Sequence, residues 1–257
     1  MNRLMCILGS TSLFCALLYW TAGSIHAAPT DADGDGVPTK TDCDDANPAV
    51  GRRLFQDGFN VANTAWTPYA GEWSLDGQGY YLGTGEPAVS LVDIDLPQAY
   101  VVETIQAMEH LDAYDFGTAG IYFGFDPEIG LGGDEWNFFL IDPDTAFMNF
   151  PTGGITLCTD CAGISKAYQF ETGQYYTLSV EVRPSSVRAS VNGQLIFDLV
   201  PTEPVVAALS GIGGISELTA DSFRACELLG DTVRAPSSTA AQYRFWSPDQ
   251  IQAALLP

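Results

Sequence analysis

The stretch Tyr176-Thr177-Leu178-Ser179-Val180-Glu181-Val182-Arg183-Pro184-Ser185-Ser186-Val187-Arg188-Ala189-Ser190-Val191-Asn192-Gly193-Gln194-Leu195-Ile196-Phe197-Asp198 decides the fold. From Tyr176 to Val182 apolar and polar residues alternate, the period of a strand with one buried face. Pro184-Ser185-Ser186 turns the chain, and Val187, Ala189 and Val191 then alternate with Arg188 and Ser190. Asn192-Gly193 is the pair that tolerates positive φ in a type I′ turn, and it leads into Gln194-Leu195-Ile196-Phe197-Asp198. The passage therefore predicts three consecutive antiparallel strands.

The same pattern extends outward. Asp76-Gly77 divides Glu72-Trp73-Ser74-Leu75 from Tyr80-Tyr81-Leu82, and further strands are predicted over 89–95, 100–106, 119–125, 136–141, 146–150 and 222–228. Some are near-continuous apolar runs, such as Ile121-Tyr122-Phe123-Gly124-Phe125, as expected of a strand covered on both faces. No interior segment has helical periodicity, and 26 glycines and 15 prolines favour strands and turns. The expectation is an all-β protein, a two-sheet antiparallel sandwich over 51–229.

The two ends differ from this. Residues 1–27 read as a secretory signal: Arg3, an apolar stretch over 4–20, then the small-residue end Ser24-Ile25-His26-Ala27-Ala28. Gly9, Ser10, Thr11 and Ser12 interrupt the apolar stretch, so cleavage is favoured over a retained anchor. The protein is then expected to be secreted or at the cell surface, and not membrane-embedded. Removing Arg3 changes the net charge from -22 to -23, from 9 Lys+Arg against 32 Asp+Glu. That surface repels nucleic acid and attracts divalent cations, although a solubilising role is equally open. Residues 230–257 read as a linker and a short C-terminal helix. Ser247 would cap it, Pro248 suits its first position, Gln250 completes a capping box, and Trp246 can staple onto Ile251.

Between signal and sandwich, 28–50 is an acidic loop. Asp31-Ala32-Asp33-Gly34-Asp35-Gly36-Val37-Pro38-Thr39-Lys40-Thr41-Asp42 has carboxylates at positions 1, 3, 5 and 12 of a calcium loop, with glycine at position 6. The expected Ca2+ ligands are the carboxylates of Asp31, Asp33, Asp35 and Asp42, the carbonyl of Val37, and Thr39 through its hydroxyl or a water. Pro29 and Pro38 oppose the flanking helices of an EF-hand. The loop resembles thrombospondin type 3 repeats and bacterial extracellular motifs of the form Asp33-Gly34-Asp35-Gly36 followed by Asp42-Cys43-Asp44-Asp45. Those families carry several copies where this chain has one. A solvated acidic linker is the alternative.

From Arg53 to Leu229 the order of signals resembles the concanavalin A-like lectin/glucanase superfamily, especially its laminin G-like branch. The likeness rests on Leu54-Phe55-Gln56-Asp57-Gly58-Phe59-Asn60, Trp66, Gly71-Glu72-Trp73-Ser74-Leu75-Asp76-Gly77, Tyr176-Thr177-Leu178-Ser179-Val180, Val191-Asn192-Gly193, Gly213-Gly214-Ile215 and Asp221-Ser222-Phe223. It implies a jelly roll more than any activity. In such sandwiches the first and last strands lie side by side, which predicts a Cys43–Cys226 disulfide, and Cys158–Cys161 would close a small loop. A zinc site built from these four cysteines is the alternative. Asp57 and Asp221, near the terminal strands, invite a second calcium hypothesis against a plain surface role.

The mature chain keeps only His110, here expected in a turn, which removes most histidine-based chemistry. There is no Gly-x-Ser-x-Gly elbow. The glucanases of the resembled superfamily place Glu-x-Asp-x-Glu on one strand, and this sequence has no such run; Glu103 and Glu181 stand singly. Sugar binding needs only an aromatic platform with a few polar groups. Tyr114, Tyr122, Trp136 and Asn137, with Asp134 and Glu135 in a nearby loop, are the candidate ligand-binding residues. The reading is a calcium-stabilised, non-catalytic sandwich that binds carbohydrate or another extracellular ligand. A divergent glycoside hydrolase and a structural surface protein with a protein partner are the alternatives.

Overall fold

The structure is a computed structural model that describes residues 30–110, 117–126, 137–142, 153–159, 162–205, 208–230 and 244–246. The passage that opens the sequence reading folds as read. Strands β9 (Tyr176–Arg183), β10 (Ser186–Val191) and β11 (Gln194–Leu199) are antiparallel neighbours. Asn192 and Gly193 take φ of 50° and 75° at the tight turn between β10 and β11. Tyr176, Leu178, Val180 and Val182 are buried, and the residues between them point outward. Glu181, Arg188 and Asp198 stand in register across the three strands, with Arg188 3.2 Å from Glu181 and 3.7 Å from Asp198.

These strands continue through β4 (Tyr100–His110) to the second half of β12 (Leu209–Leu228) and then to β1 (Val50–Asp57). The first half of β12 belongs to the other layer. It lies between β3 (Tyr81–Val92), which β2 (Trp66–Leu75) flanks, and β5 (Thr118–Phe125). That layer runs on through β6 (Phe138–Asp142), β7 (Gly154–Thr159), β8 (Ala162–Ala167) and β13 (Arg244–Trp246). The ladder is continuous, but it folds over. Phe139 of β6 meets Phe197 of β11 edge to face at 6.2 Å, although these strands are far apart in hydrogen-bonding order. The result is an all-β, two-layer antiparallel sandwich, as expected, with β12 shared between the layers.

The main core lies between the layers and takes Ile121, Phe123, Phe139, Ile141, Val180, Val182, Phe197 and Phe223. A second apolar cluster covers the opposite face of the β3–β12–β5–β6–β7 layer, with Val89, Leu91, Tyr122, Phe138, Leu140 and Cys158. Burial on both faces explains the continuous apolar runs on β5 to β7. At Gly213 of β12 a side chain would stand 2.8 Å from the Tyr122 ring and 2.6 Å from the Ala88 carbonyl. The missing side chain lets β12 approach β3 and β5 closely.

Several boundaries differ from the sequence reading. The predicted strands 80–82 and 89–95 largely merge into one strand, β3, which ends at Val92 and turns irregular near Gly85 at φ 150°. The predicted 222–228 is only the end of β12, and 136–141 begins later, at Phe138. His110 ends β4 opposite Glu217 instead of occupying a turn. Trp246, expected to flank a helix, closes strand β13 opposite Gly163. The signal 1–27, the predicted strand 146–150 and the helix from Ser247 lie outside the described residues.

Candidate functional site

The 31–42 loop turns at Gly34 and Gly36, whose φ of +80° and +93° side chains rarely adopt. Asp31 caps the coil, accepting Gly34 N at 2.8 Å and Gly36 N at 3.1 Å. Asp33 accepts Asp35 N at 3.2 Å and Asp35 accepts Val37 N at 2.6 Å, each through Oδ1. The carboxylates of Asp31, Asp33 and Asp35 offer oxygens within 4.8 Å of one another. The Oδ2 atoms of Asp33, Asp35 and Asp42 are buried with no hydrogen-bond partner. Loss of solvent raises the Asp33 carboxyl above the ordinary range; the Asp35 N–H opposes this, and the charges of Asp35, Asp42 and Asp31 add to the rise. Hard oxygens crowded in this way match what calcium takes. Thr39 supports the loop from within: its hydroxyl lies 2.9 Å from both Thr30 O and Asp45 Oδ1.

The loop is fastened to the sandwich at its far end. Arg53 N donates to Thr41 O, Asp42 bridges to Arg52, and Cys43 N donates to Gly51 O, so 41–43 lies along β1. Arg53 Nη2 donates to Asp42 O at 2.7 Å, and Asp42 is 2% exposed. Cys43 joins Cys226 of β12 in a disulfide across 183 residues of sequence. Closing a loop of that length stabilises by about 5 kcal/mol in the chain-entropy account. These two sulfurs are therefore not available as zinc thiolates, which removes the four-cysteine site. Cys158 is buried on β7 opposite Gly163, and Cys161 lies outside the described residues.

On the sandwich, two expected ligand-binding residues are structural instead. Tyr122 is 0% exposed, between Phe125 and Phe138 at 6.2 and 6.1 Å, and burial pushes its hydroxyl far above the ordinary range. Asn137 is buried and donates to Gly124 O at 3.2 Å, tying β5 to β6. Both were misplaced for one reason: this face is covered, so alternation does not separate surface from core. Tyr114, Asp134, Glu135 and Trp136 lie outside the described residues. Among the described residues of β5, β6 and β7, the side facing away from the main core carries one carboxylate, Asp142. Glu103 and Glu181 point outward and pair with Arg224 and Arg188.

A site that sequence reasoning missed lies at the end of β1. Asp57 is 9% exposed and is held by three donors: Phe59 N at 2.8 Å, Trp66 Nε1 at 2.9 Å and Asn63 Nδ2 at 3.0 Å. It is a corner post, which removes the second calcium reading with Asp221. Around it Phe59, Trp66, Tyr81 and Trp73 form a connected ring cluster with centroids 4.8–5.7 Å apart. Beside them opens a hollow of about 390 Å3. The signal existed in the sequence as Asp57, Trp66, Trp73 and Tyr81, but only register across β1, β2 and β3 brings them together.

This topology matches solved structures at low identity. A Bacillus licheniformis β-glucanase superposes with a TM-score of 0.51 at 13% identity, over 67% of this chain and 97% of that one. The fold is a jelly-roll sandwich. A protein described with endo-acting O-glycanases of human gut microbiota gives a TM-score of 0.53 at 14% identity, over 69% of this chain and 100% of its own. A β-1,3-1,4-glucanase from a mouse hindgut metagenome gives 0.50 at 11%, over 68% and 99%. No protein-family model matches the chain, and no curated protein does. Among the described residues no helix is long and apolar enough to cross a membrane, and the disulfide is compatible with an extracellular location.

Proposed function

We propose that this is an exported jelly roll, stabilised by one Ca2+ in the 31–42 loop, which binds carbohydrate or another extracellular ligand without catalysis. The observation that carries the ion is the set of buried Oδ2 atoms on Asp33, Asp35 and Asp42 with no donor from the protein. A carboxylate oxygen shut from water without a partner is unfavourable, and a cation held among Asp31, Asp33 and Asp35, with Asp42 closing the loop, would relieve it. Asp31, Asp33, Asp35 and Asp42 would hold the ion with the Val37 carbonyl, and water would complete six to eight ligands. The ion orders a self-repelling loop and supplies no chemistry to a substrate. Disulfide formation and the acidic charge favour work outside the cell.

The test is a glycan array probed with the mature chain in Ca2+ and again in chelator, with released reducing ends assayed in parallel. Binding that weakens in chelator, with no sugar release, supports the reading. Release of sugar moves the protein to the hydrolase class. An array blank in both conditions removes the carbohydrate reading.

A further inference from the structure

We propose that the hollow beside Asp57 is a binding site for a neutral pyranose unit of a glycan, an assignment that rests on the carbohydrate reading above and gives it a location. The hollow is bounded by the loop after β1, both ends of β2 and the start of β3. Its volume of about 390 Å3 falls in the range of about 300–1,000 Å3 usual for small-ligand clefts.

Trp73 supplies the platform. It pairs across the strands with Gly83, where a side chain would stand 2.6 Å from the indole, so the ring lies on bare backbone. Its N–H already donates to Ala70 O at 2.9 Å, and the half-buried ring beside Tyr81 offers apolar surface. Val61, 74% exposed, leaves further apolar surface at the edge. Ser74 and Asn63 are exposed and also line the hollow, Asn63 with one amide N–H left beyond its bonds to Asp57 and the Ala65 N–H. Asp57 carries three hydrogen bonds on a carboxylate that accepts about four, so one acceptor site remains. A pyranose offers an apolar C–H face to the rings and hydroxyls to these groups. Among the described residues no lysine or arginine lines the hollow, and the one charge there is negative, so uronic and sulfated sugars find no counter-ion.

The test titrates Ca2+-loaded mature protein with hexasaccharides of glucose, xylose, mannose and galactose, and with oligogalacturonate as the acidic control. Ser74→Arg blocks the hollow from an exposed position without disturbing the core, and Trp73→Ala, with Trp73→Phe as rescue, removes the platform. The expected result is binding of at least one neutral hexasaccharide and none of oligogalacturonate. Ser74→Arg and Trp73→Ala should each weaken it about tenfold or more, and Trp73→Phe by about threefold at most. Neutral binding unchanged in Ser74→Arg, with unchanged melting, overturns the location and leaves the carbohydrate reading standing. Preference for oligogalacturonate overturns the neutral assignment. No binding by any probe overturns both.

Discussion

Asp57 and Asp42 of the 31–42 loop are both buried carboxylates, and the protein treats them in opposite ways. Asp57 receives three N–H donors, one from the backbone, one from Asn63 and one from the Trp66 indole. Asp42 is more deeply buried, yet its Oδ1 accepts only Asp44 N at 3.1 Å and its Oδ2 accepts nothing. Asp33 and Asp35 repeat that pattern. A carboxylate that the chain satisfies is a structural post. A set that the chain leaves open, at calcium-loop spacing, is what the proposed Ca2+ would fill.

The contrast can be broken by substitution. Asp57→Ala strands the Trp66 and Asn63 donors and the Phe59 amide, and should cost about 3–5 kcal/mol in urea denaturation. The loss should be equal in Ca2+ and in chelator, and a loss seen only with Ca2+ would assign Asp57 to the ion. Cys226→Ser comes next, at about 2–5 kcal/mol. Because Cys43 holds Asp42 against β1, this variant should also bind Ca2+ more weakly, read as a smaller rise in melting temperature on adding the ion. An unchanged Ca2+ response would show that the loop closes without its staple.

The smallest effect concerns Tyr81, which packs in the Asp57 corner. Burial raises its hydroxyl above 10.0, the Ser90 hydrogen bond opposes this, and the Asp57 charge adds to the rise. The folded state therefore favours neutral tyrosine. This contribution to stability is intact below the unfolded value and is lost as pH rises through the folded one. Asp57→Asn should move the Tyr81 midpoint slightly down in an ultraviolet titration. A midpoint that rises would contradict the electrostatic part of this account.

The same contrast explains what was legible in the sequence. The crowding of Asp31, Asp33 and Asp35 could be read because these carboxylates sit within five consecutive residues. Strands β9, β10 and β11 could be read because one face meets solvent, so Leu178, Val180 and Val182 alternate with Ser179 and Glu181. Strands β5 to β7 lost that signal to burial on both faces, so alternation could not show which way Tyr122 points. The first half of β12 was missed because Gly211, Gly213 and Gly214 resemble a turn, although each lets the backbone of β12 approach its neighbours. The Asp57 hollow was hidden for a third reason. Its walls come from β1, β2 and β3, and the β2–β3 ladder shifts register twice, between Pro68 and Ala70 and between Ala70 and Glu72.

Calorimetric titration of the mature chain with Ca2+, beside Asp42→Asn and Asp57→Asn, tests the central claim most directly. The account predicts one Ca2+ per wild-type chain, binding weakened about tenfold or more in Asp42→Asn, and unchanged affinity in Asp57→Asn. No binding to the wild type, or full affinity in Asp42→Asn, would contradict it.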